Sequence, residues 1–345
     1  MRGVVVKEPN QVEIWDLAQP VPGPYQALVR TDICAMCNST DAKVVSGHFP
    51  GLDQYPLVLG HEATGIVEAV GEKVRQFKVG DRLLSGMLFD FKEPNLGSGW
   101  GGFSDYTLAN DHDAMVADGV ADAEHGWFEC HEIQNVVPND IPADEAALMC
   151  TWREVLGGIE MFRIQPGDRV LIYGGGPVGM SFVQFGKLLG WKWIGLVDTL
   201  EWKRAKALEF GADAVFAPGD SSLETYGKFD AIVDAVGHPS IMNEAVRMIR
   251  MEGSICVYGV LADDTFQLNK SPGPYNFNLY IHQWPTRRKE RESATQLVQW
   301  IREGKLRASD FVTHRFPLER FGDALAAVKS GQVLKCLVDF ATPTK

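Results

Sequence analysis

Two cysteines three apart raise the question of chemistry. Cys34 and Cys37 lie in the stretch CAMCNSTD, residues 34–41, which ends in the hydroxyls of Ser39 and Thr40 and the carboxylate of Asp41. Such a pair can be a redox couple, half of a structural zinc site, or one metal ligand beside a bystander. A redox pair belongs in a thioredoxin-like strand–helix–strand context, whereas this one sits in a strand-rich region. A structural half-site needs a second close pair, and the six cysteines at 34, 37, 130, 150, 256 and 336 supply none. One metal ligand with a proton-handling tail is the reading left, and spacing alone does not say which cysteine it is.

A second stretch, YGGGPVG, sets Gly174, Gly176 and Gly179 in G-x-G-x-x-G spacing. The motif alone is weak, but here it follows a predicted strand and opens a predicted helix, the context it requires. The first glycine allows a tight turn, the second lets the backbone approach a pyrophosphate, and the third lets helix and strand pack closely. Pro177 falls in the first turn of the helix, where its missing N–H is tolerated. Asp198 ends the next predicted strand, placed to hydrogen-bond ribose hydroxyls and to repel a 2′-phosphate, which predicts NAD over NADP. Lys203 and Arg204 are the bases close by, and an arginine there can accommodate that phosphate.

The elements that must position these groups fall into two styles. Residues 1–150 hold short β-branched runs such as RGVVV, QALVRTDI and TGIVEAV, separated by glycine and proline turns, which predicts a barrel-like all-β region. After residue 150 strands and helices alternate: DRVLIYG, PVGMSFVQFGKLLG, WIGLVD, EWKRAKALEFG, AVFAP, FDAIVDAVG, a helix near 240–251, and SICVYGV. That alternation predicts strand–helix–strand units and a parallel sheet. A helix over 292–306, the strand VTHRFPL, a helix near 319–330 and the strand KCLVDF return to the first style. The expected division is 1–150, 151–287 and 288–345, within an α/β fold class.

At 345 residues two domains are the prior, and 45% apolar with 23% charged residues is ordinary for a soluble globular chain. The formal net charge of -12 disfavours nucleic acid and anionic membrane as partners, since both call for a basic surface. The one basic cluster, TRRKERE at 286–292, is mixed in sign and reads as a solvated helix start. No apolar run approaches 18 residues, the opening MRGVVVKEPN reads as a first strand and not as a signal peptide, and the cysteines form no disulfide framework. A cytoplasmic protein with reduced thiols is expected.

Residues 60–74 read G-H-E-x-x-G-x-x-x-x-x-G-x-x-V without a gap. This resembles the signature of the zinc-dependent medium-chain dehydrogenases, in their sorbitol-dehydrogenase-like branch. The resemblance covers essentially the whole chain, through QALVRT, VGDRL, GGFSDYTL, VPNDIPADEAAL and VTHRFPLERFGDAL. It implies a GroES-like β-rich catalytic domain and a Rossmann domain with a doubly wound parallel sheet. It also implies one catalytic Zn2+ held by Cys37, His61 and Cys150, with Glu62 entering and leaving the coordination shell. Cys37 is singled out because relatives place six residues between a Val-Arg pair, here Val29-Arg30, and the ligand. Glu154, one helical turn beyond Cys150, is a substitute or a neighbour of the ligands. After the ligand, relatives carry a hydroxyl that relays the substrate proton and an aspartate that orients the zinc-bound histidine. Here either Ser39 keeps the hydroxyl role, or a one-residue insertion gives Thr40 and Asp41 both roles; the insertion is favoured because it recovers the carboxylate. Lys43 then stands where relatives have a distal histidine, and His48 is its candidate replacement.

Residues 81–129 contain no cysteine, so no structural zinc is expected. The segment 109–136 looks like an insertion, and its cluster of His125, Cys130, His131 and Glu132 reads as a surface or pocket loop, not a metal site. The implied reaction is reversible, NAD-linked oxidation of a secondary alcohol to a ketone, with a polyol or sugar alcohol as the expected substrate. Val178 is expected behind the nicotinamide, and Trp100, Phe103, Trp152 and the segment NLYIHQW are expected at the substrate pocket. The alternatives are an amino-alcohol or simple alcohol dehydrogenase, a zinc-free quinone reductase, and a non-catalytic nucleotide-binding protein. Relatives are dimers or tetramers, so a homodimer or homotetramer is implied.

Overall fold

The short β-branched runs of the first 150 residues do build sheets, and the alternating segment beyond them builds a parallel one. The computed structural model describes residues 1–261 and 265–340. One unit comprises Met1–Cys150 with the segment from Ala294 onward, and a second comprises Thr151–Ser293. The chain thus leaves the first unit and returns to it. Among the described residues no helix is long and apolar enough to cross a membrane.

The first unit is organised around the long strand Gln26–Met36. Glu62–Val70 pairs antiparallel on one side of it and Lys335–Asp339 antiparallel on the other, while Tyr106–Asn110 pairs with its first half. Val312–Pro317, Arg82–Leu84 and Val136–Val137 extend this sheet to seven strands. A second sheet of four strands, ordered Gln11–Asp16, Arg2–Glu8, Leu57–Val58 and Gly97–Ser98, completes the β-rich part. Inward-facing strand residues Val4, Val6, Cys34, Met36 and Leu57 meet Phe103 of a loop and Phe321 of a helix in one buried cluster.

The second unit is a six-stranded sheet with every pairing parallel. Its spatial order is Ala214–Phe216, Trp193–Val197, Arg169–Tyr173, Phe229–Asp234, Ile249–Val257 and Asn278–Ile281. In chain order that is 3-2-1-4-5-6, the doubly wound dinucleotide-binding arrangement. Tyr173, Val197, Ile232 and Val257 are buried in its core, as expected of near-continuous apolar strands in a covered parallel sheet.

Three elements differ from the sequence expectation. The helix predicted over 292–306 begins earlier, at Arg287, because i,i+3 and i,i+4 pairs such as Arg287–Glu290 and Arg288–Glu292 stabilise its first turns. Residues Ala143–Met161 form a single helix across the texture change at 150, where no turn residue interrupts the run. The stretch 278–281, read as part of a pocket segment, is an edge strand.

Candidate metal centre and nucleotide turn

Strand register brings the candidate ligands together. Ala35 is paired with Glu62 across one side of the central strand, and Met36 with Cys336 across the other. Cys37, the next residue out, therefore sits at the same end of the sheet as Glu62 and Lys335. His61 immediately precedes the strand that Glu62 begins. Gly60 makes that approach possible: its φ is +110°, and a Cβ there would lie 2.4 Å from the backbone nitrogen of Phe103.

The ligand atoms of Cys37, His61 and Glu62 all lie within 4.8 Å of one another. Four donors on a tetrahedral zinc, at about 2.0–2.3 Å each, would stand roughly 3.3–3.8 Å apart, so a modest closure suffices. His61 Nε2 faces Glu62 Oε1 at 3.9 Å, while Nδ1 faces Asp41 Oδ1 at 3.4 Å. Neither Nδ1 nor that Oδ1 has a hydrogen-bond partner among the described residues. The other oxygen of Asp41 accepts the Cys37 N–H at 2.9 Å. Asp41, fully buried in the first turn of the helix Thr40–Ser46, thus touches the backbone of one ligand and faces the ring of the next. Burial disfavours an imidazolium at His61, but Asp41 and Cys37 outweigh it and hold its pKa well above the usual range. The pocket's charge is therefore arranged for a cation at that ring, and the soft thiolate, imidazole and carboxylate set suits zinc.

Cys150 is not among the three clustered donors. Its buried Sγ lies 3.6 Å from Ser85 Oγ. Cys34 is fully buried in the core, where desolvation, with Asp41 and Glu62 adding to it, pushes its thiol far above its ordinary value. Cys34 thus packs in the core, while Cys37 is the cysteine whose thiol lies with His61 and Glu62. Ser39 is the exposed residue ahead of the helix, and Thr40, half-buried, is its first member. His48 is exposed beyond the helix end, with Nδ1 3.1 Å from Ser46 Oγ.

Lys335 was not anticipated. Its Nζ lies 2.5 Å from Glu62 Oε2, and the side chain is 2% exposed. Burial works against the ammonium, but the carboxylate of Glu62, with Cys37 and Asp41 adding to it, raises its pKa above the ordinary lysine value. The available signal was a lone lysine inside the apolar run VLKCLVDF.

The lobe at 109–136 is mostly exposed over 116–129, as a surface loop is, and buried at its two flanks. His131 is 1% exposed. Its Nδ1 accepts the Phe128 N–H at 3.1 Å, and Nε2 lies 3.0 Å from Asn110 Nδ2. Desolvation, aided by His112, lowers its pKa to about 4, so the ring stays neutral. Gln134 accepts the Asn110 N–H and donates to the carbonyls of Ser85 and Leu108. The lobe is folded because this polar network and the apolar Met87, Cys130 and Ile133 tie it down.

In the second unit the glycine turn has the geometry read from its sequence. Gly174 has φ +99°, and a Cβ on Gly179 would sit 1.7 Å from the Gly174 carbonyl oxygen. A Cβ on Gly176 would meet nothing within 4 Å, so the space above the N-terminus of the helix Pro177–Leu188 is open to a phosphate. Asp198 Oδ2 accepts the Gly175 N–H at 2.6 Å and Oδ1 the Leu200 N–H at 2.8 Å. Lys203 lies beside Gly175, Arg204 donates to the carbonyls of Asp198 and Thr199, and Val178 is half-buried. Trp152 is 1% exposed, and Glu154 Oε2 lies 3.5 Å from the Tyr258 hydroxyl.

The chain is similar to known proteins over nearly its whole length. Residues 23–118 match the alcohol dehydrogenase GroES-like domain family and residues 177–300 the zinc-binding dehydrogenase family. The chain is 30% identical to the NADP-dependent isopropanol dehydrogenase of Entamoeba histolytica, over 90% of this chain and 87% of that one. It is 26% identical to the sorbitol dehydrogenase of Bombyx mori, over 95% of each. Its fold matches alcohol dehydrogenase TADH from Thermus sp. ATN1 with a TM-score of 0.81 at 21% identity, over 98% of this chain and 99% of that one. The chain belongs to the zinc-dependent medium-chain dehydrogenase/reductase superfamily, on its alcohol- and polyol-dehydrogenase side, and is an oxidoreductase of that kind.

Proposed function

We propose that the protein is a zinc-dependent, NAD-linked dehydrogenase that oxidises a secondary alcohol, a polyol or sugar alcohol, to the ketone. The observation that carries the reading is the convergence of Cys37, His61 and Glu62 donors, backed by Asp41, in a chain that also holds an open glycine turn. Bound zinc supplies a Lewis acid that makes an alcohol proton easier to remove. Cys37, His61 and Glu62 are proposed as its holders, with Cys150 as the further donor. Asp41 holds the His61 ring in orientation, and Thr40 or Ser39 passes the alcohol proton toward solvent. The nicotinamide cofactor takes up the hydride.

The first unit is proposed as the catalytic domain and the second as the cofactor domain. Asp198 supports NAD, since a carboxylate at the end of the second strand of such a sheet suits ribose hydroxyls and repels a 2′-phosphate. The relative named for sorbitol supports the polyol substrate. A homodimer or homotetramer acting in the cytoplasm completes the proposal. The test pairs metal analysis with NAD reduction across C4–C6 polyols, for the wild type and for Cys37→Ala and His61→Ala. Loss of zinc and of turnover together in both variants is expected, and full activity in both would sink the reading.

A further inference from the structure

Met36 and Cys336 are the last pair between the central strand and the closing strand Lys335–Asp339. One step further out stand Cys37 and Lys335, the two groups on either side of Glu62. There a side chain takes over from the backbone ladder. The amide of Asn38 donates through Nδ2 to the Val333 carbonyl at 3.2 Å and to the Leu334 carbonyl at 3.1 Å. Val333 and Leu334 are buried, so their carbonyls need partners that water does not supply. Both partners of Asn38 are acceptors, which fixes the amide with its NH2 end toward the closing strand. Its Oδ1 is buried with no partner among the described residues. The amide is thus held by its donor end alone, and a buried acceptor left unpaired calls for an explanation.

Two further pins flank this one. On the side of Cys37, Asp41 Oδ2 accepts the Cys37 N–H at 2.9 Å, and the Asp41 N–H donates to the Cys37 carbonyl at 3.2 Å. On the side of Lys335, the Thr313 hydroxyl accepts the Leu334 N–H at 3.0 Å and donates to the Lys335 carbonyl at 3.4 Å. In these bonds Asp41 holds the Cys37 turn and Thr313 holds the start of the closing strand. Asn38 ties the one to the other. All of these residues lie within the first unit.

We propose that Asn38 is a positioning residue for the metal centre, whose amide carries the sheet pairing one step beyond Met36–Cys336 and so fixes Cys37 against Lys335. This rests on the zinc reading and deepens it. Glu62 faces His61 through Oε1 and Lys335 through Oε2. With the clamp in place, the thiol and the ammonium keep their stations on either side of that carboxylate. Without it, the Cys37 turn and the closing strand move independently, and the donors spend less time within reach of one ion.

The experiment compares wild type with Asn38→Ala, Asn38→Leu and Thr313→Val. The leucine keeps the bulk of the asparagine and removes its donors. The first readout is hydrogen–deuterium exchange of the metal-free proteins, followed in peptides spanning 34–41, 332–338 and 26–32. Both Asn38 variants are expected to exchange about tenfold faster in the first two segments and as wild type does in the third. Thr313→Val is expected to speed 332–338 alone. The second readout is Co2+ affinity in a chelator competition, together with the thiolate-to-Co2+ absorption band. Both Asn38 variants are expected to lose about tenfold in affinity and to shift that band, with Thr313→Val within about twofold of wild type. Unchanged exchange at 34–41 in the Asn38 variants overturns the clamp. Faster exchange with wild-type Co2+ affinity and band leaves Asn38 a structural role only and overturns the positioning one, as does an equal loss of affinity in Thr313→Val. If wild type takes up no Co2+, the zinc reading itself falls and the positioning role falls with it, whereas a wild type that binds beside Asn38 variants that bind equally well overturns the role of Asn38 alone.

Discussion

Lys335 Nζ lies 2.5 Å from Glu62 Oε2, with both side chains buried. Breaking such a pair leaves a charge uncompensated at a cost of about 3–5 kcal/mol. Lys335→Met is expected to lower the urea stability of the metal-free protein by that order. Zinc should then restore more stability to the variant than it adds to wild type, because the ion replaces the lost cation at Glu62. Equal stabilisation by zinc in the two proteins would remove Glu62 from the metal site.

Asp41 reaches both Cys37 and His61, so its role is separable from packing. Asp41→Asn keeps the shape and removes the charge. Carboxylates behind a ligand histidine typically contribute 10–100-fold in metal affinity, and a loss of about that size is expected in a chelator competition assay. The same assay on Cys150→Ala decides its proposed place as a donor: a loss of at least about tenfold is expected, and unchanged affinity would remove Cys150 from the donor set.

His131 gives a pH signature. Its folded pKa, about 4, lies below the unfolded value of 6.5, so the folded state refuses a proton that the unfolded chain accepts. The contribution is intact above the unfolded value and is lost as pH falls toward the folded one, by about 3 kcal/mol at the limit. His131→Gln should be less stable than wild type at neutral pH, and the gap should narrow between pH 6.5 and 4 in denaturant unfolding. A gap that does not change with pH would mean that His131 is not held neutral.

Asp198 accepts the Gly175 N–H of the glycine turn through Oδ2 and the Leu200 N–H of its own loop through Oδ1. Asp198→Asn is expected to weaken NADH about tenfold and to narrow the preference over NADPH, as read by nucleotide fluorescence titration. Undiminished preference for NADH would place the discrimination elsewhere.

The sequence exposed the parts of this protein that depend on local pattern. The parallel sheet followed from strand–helix alternation, though its strand order did not, and Gly174, Gly176 and Gly179 had a context that could be checked on either side. Cys37, His61 and Glu62 were legible through an ungapped motif and a count from Val29-Arg30. Lys335 was not, because its meaning lies in a register between strands almost three hundred residues apart, which no local pattern encodes. The burial of His131 at the base of the lobe was not legible for a related reason. His131, Asn110 and Gln134 are ordinary polar residues in sequence, and only their mutual hydrogen bonds let them be buried. The left-handed backbone of Trp100 was invisible between its glycines.

The pairing of Lys335–Asp339 with Gln26–Met36 also has a consequence in time. At 5–20 residues per second, a ribosome delivers the last strand roughly 15–60 s after the central one. Through that interval the Ile33–Met36 half of one edge of the central strand has no neighbour, and Glu62 has no ammonium beside it. The nascent chain thus carries an open edge next to a thiol, an imidazole and two carboxylates in the half-built pocket. Zinc arriving early would meet a floppy set of donors on an aggregation-prone edge. The final strand therefore closes the sheet and supplies the charge at Glu62 in a single late step of biogenesis.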